Sequence, residues 1–97
     1  AMNSYIVLGN YTEKGIAAIK QSPKRRAGVR KLLEKLGGRM KDFYLTMGGP
    51  DLVLVVELPS DEACARFALT VGSAGFVRTT TLKAFPEKSY HKIIESI

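Results

Sequence analysis

The spacing of hydrophobic and polar positions switches repeatedly between a period of two and one near 3.6, and each switch predicts a change between strand and helix. Ser4–Tyr11 (SYIVLGNY) reads as a first strand, with Ile6 and Leu8 on one face and Tyr5, Val7 and Gly9 on the other. Thr12 suits the cap of a short helix over about Glu13–Gln21, and Glu13 suits its first turn, where the helix dipole favours an acid. Ser22-Pro23 gives a second start signal, a capping residue followed by proline at the first helical position. Val29, Leu32, Leu33 and Leu36 then recur at i, i+3, i+4 and i+7, opposite Lys24, Lys31 and Lys35, until Gly37-Gly38 ends the run. The spacing predicts one helical excursion, kinked or broken at Ser22-Pro23.

Arg39–Met47 and Leu52–Leu58 read as a hairpin turning at Gly48-Gly49-Pro50-Asp51, where glycine permits tight backbone and proline withholds a ladder donor. Pro59-Ser60-Asp61-Glu62 stops the second strand and opens a helix capped by Ser60, with Ala63, Cys64, Phe67, Ala68 and Val71 on its buried side. Phe76–Phe85, rich in β-branched residues, reads as the last strand. Pro86–Ile97 places Tyr90, Ile93, Ile94 and Ile97 at helical spacing and predicts a C-terminal helix lying on a neighbouring surface.

The order β-α-β-β-α-β is that of a ferredoxin-like α+β fold, a four-stranded antiparallel sheet with its helices on one face. Right-handed crossovers put the strands in order 4-1-3-2. Leu52 to Val56 are apolar at both parities, so the third strand expects cover on both sides. Leu52, Leu54, Val56 and Leu58 suit the helices; Val53, Val55 and Val7 are expected on the open side as an interface, together with Glu57. Such an apolar patch exceeds what monomers usually expose. A two-fold homodimer, sheet against sheet as a dimeric α+β barrel, is the simplest cover. The alternative is that the tail helix folds back over the sheet.

Composition changes this picture little. Ninety-seven residues with 45% hydrophobic and 25% charged positions describe one small domain over 1–97, with Ala1 before Met2 resembling a tag remnant. Nothing approaches a membrane span, and the first residues lack the pattern of a signal peptide. One cysteine, Cys64, fits a reducing cytoplasm and core packing, and a lone His91 leaves little for a metal. No cofactor or metal site is expected. A net charge of +6 raises nucleic acid as a partner. However, the third strand (LVLVVEL) lacks the aromatic residues on which RNA-recognition sheets stack bases, and the basic residues cluster on a helix. Nucleic acid is therefore not the expected partner.

Four segments together resemble the GYD domain family: Gly48-Gly49-Pro50-Asp51, Ser22-Pro23-Lys24-Arg25, the PSDEA helix start at Pro59, and VRTTTLKAF at Val77–Phe85. The resemblance runs from Met2 to about Ile94 and implies a small bacterial or archaeal domain of the dimeric α+β barrel type, with no established reaction. Pro50 stands where the family's name-giving motif carries tyrosine, so no role for that hydroxyl carries over.

Several residues could bear chemistry. Asp51 at the strand mouth suits a base or ligand anchor, or an Asx-type bond closing its own turn. Glu57, the acid within an apolar strand, needs a cation such as Arg78 or Lys83, or else titrates unusually high. Glu57, Asp51 and Tyr44 are thus the catalytic candidates. Tyr44, Thr46, Glu57, Arg78, Thr79 and Thr81, with Thr80, offer polar groups to a ligand between the sheet and its cover, although such residues also pack well in strands. Lys24, Arg25 and Arg26, cations in a helix's first turn, would suit a phosphate or carboxylate. Two function classes follow: a homo-oligomeric module that binds or senses a small molecule, and a cofactor-independent enzyme acting on a small organic molecule. A purely structural dimer stands behind both.

Overall fold

The computed structural model describes residues 2–97, so Ala1, the expected tag remnant, lies outside the described residues. The elements are β1 (Asn3–Tyr11), α1 (Glu13–Ala17), a 3-10 turn (Ile19–Gln21), α2 (Ser22–Lys35), β2 (Arg39–Leu45), β3 (Leu52–Leu58), α3 (Asp61–Ser73), β4 (Val77–Ala84) and α4 (Glu87–Glu95). The four strands form one antiparallel sheet in the order β2-β3-β1-β4, the expected 4-1-3-2 read from the other edge.

Local chemistry sets the ends of these elements. The Thr12 side chain accepts from the Gly15 N–H at 3.1 Å, and Ser60 accepts from the Ala63 N–H at the same distance, so both expected caps form. At the end of α2 the Gly37 N–H bonds the Glu34 carbonyl at 3.0 Å and the Gly38 N–H bonds the Leu33 carbonyl at 2.8 Å. Gly37 holds φ at 86° between them, a Schellman cap that other residues adopt only with strain. The helical excursion breaks at Ala18, earlier than the expected Ser22-Pro23. Ser22 has helical φ and ψ of −56° and −42°, and Pro23 fits the first turn because an N–H there needs no intrahelical partner.

One face of the sheet packs under α2 and α3. Leu52, Leu54, Val56 and Leu58 are all buried, joined by Tyr5, Val7 and Met40 from the sheet and by Leu33, Cys64 and Phe67 from the helices. Val7 thus lies opposite its expected side. It pairs with Leu54, and cross-strand partners share a face, so Val7 is a core residue. The open side is formed by Ile6 against Val55 and Leu8 against Val53, with Tyr44 beyond Val53 on β2 and Leu82 beyond Ile6 on β4.

The tail helix does not close this side. Tyr90, Ile93 and Ile94 on α4 remain 42–52% exposed, and Ile93 lines a groove at the end of the sheet together with Met2, Ser4 and Phe85. The molecule measures 48 × 30 × 17 Å. Among the described residues no helix is long and apolar enough to cross a membrane.

Candidate functional site

Three places gather the candidate side chains: the open sheet face, the hairpin end of the helix layer, and the cleft at the start of α3.

On the open face, Glu57 finds a cation, but it is neither Arg78 nor Lys83. Register puts Glu57 opposite Arg39, whose Nε lies 2.6 Å from Glu57 Oε1. The guanidinium is well exposed and the carboxylate is mostly covered, so the pair closes the end of the apolar row at small net gain. Arg78 pairs with Asn10 while Glu57 pairs with Ser4, a separation of about 20 Å along β1. Lys83 pairs with Tyr5 and faces the helices. The expected ligand set therefore divides. Tyr44, Glu57, Arg78 and Thr80 face the open side, whereas Thr79 and Thr81, opposite Gly9 and Val7, face the helices.

At the hairpin end, Asp51 does not close its own turn. Its Oδ2 accepts from the Tyr11 N–H at 2.9 Å, and its own N–H donates to the Gly9 carbonyl at 2.9 Å. Both bonds tie the hairpin to the end of β1. Thr46 closes the turn instead: its hydroxyl donates to the Pro50 carbonyl and its N–H to the Asp51 carbonyl. The Gly49–Pro50 peptide bond within this turn is cis.

Beside this turn, between the start of α2 and the sheet, lies a cavity of about 60 Å³. Val7, Val29, Leu54, Phe67, Val71 and Val77 form its apolar wall, and Tyr11, Ser22, Arg25, Arg26 and Thr79 its polar one. Arg25 stacks on Phe76, Cζ to ring centroid 4.3 Å, and Arg26 stacks on Phe43 at 4.9 Å. Arg25 Nη1 donates to the Ala18 carbonyl at 3.0 Å, holding the break between α1 and α2, while Nη2 is buried without a hydrogen-bond partner. Lys24, the third expected anion ligand, is exposed and does not line the cavity.

The third place was not legible in the sequence. Tyr5 is buried, and its hydroxyl donates to Asp61 Oδ1 at 2.5 Å while accepting from Asn3 Nδ2 at 3.2 Å. Lys83 Nζ donates to Asp61 Oδ2 at 3.2 Å. With Cys64, Ala65, Ala68 and Thr81 they line an open cleft of about 290 Å³. Burial first, and the Asp61 carboxylate second, push the Tyr5 phenol above its ordinary range. The hydrogen bond from Tyr5, then that from Lys83, hold Asp61 below the usual carboxylate range. Burial, with Asp61 adding to it, raises the Cys64 thiol, which keeps it protonated and unreactive at neutral pH. In sequence Asp61 resembles any acid in a helix's first turn, and 56 residues separate it from Tyr5.

The sign of each shift fixes a pH dependence. A lowered carboxylate stabilises the fold above the ordinary carboxylate range, and that share is lost as pH falls through the lowered value; a raised phenol stabilises below its ordinary range and loses that share as pH rises through the raised value. Tyr5→Phe is accordingly expected to cost stability at pH 7, and the difference from wild type is expected to shrink below about pH 4. Urea unfolding of both proteins from pH 7 down to pH 3 measures this, and a constant difference throughout would exclude the Tyr5–Asp61 bond as its cause.

Comparison with known proteins adds two matches. The model of the GYD domain matches residues 5–94. The glutamine synthetase and cystathionine beta-lyase binding protein of Thermus thermophilus is 36% identical over 86 residues, covering 88% of this chain and 90% of that protein. No solved structure gives a significant match.

Proposed function

The chain belongs to the GYD domain family, and from that membership we propose that it works as a self-associating binding module, two copies meeting through their open sheet faces. The supporting observation is the apolar row Ile6, Leu8, Val53 and Val55, which none of the described elements covers, flanked by Leu82 and Tyr44 at 47% and 57% exposure. The four row residues are half-buried among their sheet neighbours, so covering each adds only part of the roughly 1.5–3 kcal/mol of a full burial, and the more exposed Leu82 and Tyr44 add to it. The Arg39–Glu57 pair at its end gives the polar rim that protein interfaces favour. The similar Thermus protein is named for binding two enzymes, and we extend that role: partners of this chain are metabolic enzymes, and a small molecule held by the module adjusts the attachment. A buried free thiol, Cys64, suits a reducing cytoplasm as the place of action.

A second reading, a cofactor-independent enzyme acting on a small organic molecule, draws on the phenol, carboxylate and ammonium gathered at the Tyr5 cleft. Binding is favoured over it, because at neutral pH a raised phenol is a weak acid and a lowered carboxylate is a weak base.

Val53→Asp tests the interface. It places a carboxylate opposite Leu8 and Tyr44 in the middle of the row. Sedimentation velocity is expected to give a dimer for the wild type and a folded monomer for the variant. A variant that sediments as a dimer like the wild type overturns the sheet-face interface. Purified glutamine synthetase that co-sediments with neither protein would remove the proposed enzyme partner.

A further inference from the structure

We infer that the cavity under the first turn of α2 is a binding site for a small carboxylate with a short apolar body, received beside Arg25 and Arg26. This rests on the small-molecule part of the function proposed above and supplies its site and ligand class.

Three observations support it. The first is charge without a counter-ion. Arg25 and Arg26 are among the residues that line the cavity, and no acid is. Among the described residues neither arginine has a carboxylate within 4.0 Å. The acid that lines the adjoining groove, Asp51, accepts from the Tyr11 N–H. Arg26 keeps contact with solvent, but Arg25 is half-buried with one nitrogen cut off from water and acceptor alike, and an anion placed there offsets that deficit.

The second is the orphaned donor. Arg25 Nη1 is paired and the side chain is fixed by the Phe76 ring, so Nη2 stays buried with no acceptor. Nearly all buried donors have an acceptor, and a carboxylate oxygen shifting into the edge of the cavity supplies one. The Tyr11 and Ser22 hydroxyls, 3.4 Å apart, hold each other only loosely and can turn toward the second oxygen.

The third is size and lining. At about 10–15 Å³ for each water-sized occupant, 60 Å³ holds about four to six non-hydrogen atoms. Valines, two leucines and two phenylalanines line most of that space, which suits a branched aliphatic body better than a phosphate, all of whose oxygens need partners. Position adds a consequence. Arg25 braces the Ala18 break and Tyr11 ends β1, so an occupant would stiffen the junction of α1, α2 and the sheet.

Isobutyrate, with six non-hydrogen atoms, is the probe, and isobutyramide is its uncharged counterpart. In ¹⁵N-labelled protein at ionic strength held constant with chloride, isobutyrate is expected to shift the amide signals of Tyr11, Ser22, Val29 and Val77 along one saturable curve. Isobutyramide is expected to leave them in place. Arg25→Lys, which keeps the charge and loses the fork, is expected to weaken binding about tenfold or more. Val71→Phe, which fills the space, is expected to abolish it. Linear drift without saturation, an equal response to isobutyramide or to inorganic phosphate, or unchanged binding by Arg25→Lys overturns the site. Should either variant not fold, the comparison of acid with amide in the wild type decides. Sedimentation of the same samples separates the readings: a dimer that ignores isobutyrate refutes the site alone, and a monomer refutes the assembly alone.

Discussion

Phe67→Ala is expected to destabilise the fold by about 3–5 kcal/mol, the range for removing a buried aromatic ring. Phe67 is 1% exposed and lies where α3 meets the sheet, among the largest of the fully buried side chains. Its ring also forms a wall of the cavity that Arg25 and Arg26 line. Truncation would therefore join a new void to an existing one, and the neighbours have less to collapse onto than in a close-packed core. The upper half of the range is expected for that reason. Thermal unfolding by circular dichroism measures it, at about 4–8 °C of midpoint for each kcal/mol in a domain of this size. A midpoint lowered by less than about 5 °C would place the core elsewhere.

Gly38→Ala is the second large effect. A Cβ built on Gly38 would lie 2.0 Å from the Glu57 carbonyl oxygen and 2.7 Å from Leu58 Cδ2. Both belong to β3, which is hydrogen-bonded on each side to β1 and β2 and cannot yield alone. Relief requires β2 to move away, which breaks the Arg39–Glu57 pair and lifts Met40 from the core. A loss of about 1–3 kcal/mol or more is expected, as for overpacked interiors. Gly28→Ala is the internal control. It meets nothing within 4 Å, sits within α2, and is expected to gain up to about 1 kcal/mol from helix propensity. Urea unfolding of the two variants should move in opposite directions. If both stabilise, close approach at Gly38 is not what fixes β2.

These two glycines show how far the sequence could be read. Gly37-Gly38 is legible as a helix stop, because such pairs end helices by local backbone chemistry. That Gly37 supplies the left-handed turn while Gly38 admits a carbonyl from a strand 19 residues on is set by packing. The same division runs through the candidate site. The alternation in β3 correctly sent Leu52, Leu54, Val56 and Leu58 to the helices, since its cleaner face is the buried one. β1 is apolar on both faces, so parity alone does not tell its sides apart, and only the pairing with Leu54 puts Val7 in the core rather than with Val53 and Val55. Glu57 was legible as an acid needing a cation. Its partner Arg39 is 18 residues away and was fixed only by the register of the hairpin.

What the sequence determined is whatever depends on neighbours within a few residues: caps at Thr12 and Ser60, the turn at Gly48–Asp51, the element order and hence the fold, and the basic start of α2. What only the tertiary structure decided is which unlike segments meet. Tyr5 reaches Asp61, Asp51 holds Tyr11, and Arg25 and Arg26 border an apolar cavity with no acid among its walls. The physical reason is that periodicity fixes a side chain's direction within its own element. Its partners follow from strand register and helix placement, which the chain settles by burying the whole core at once.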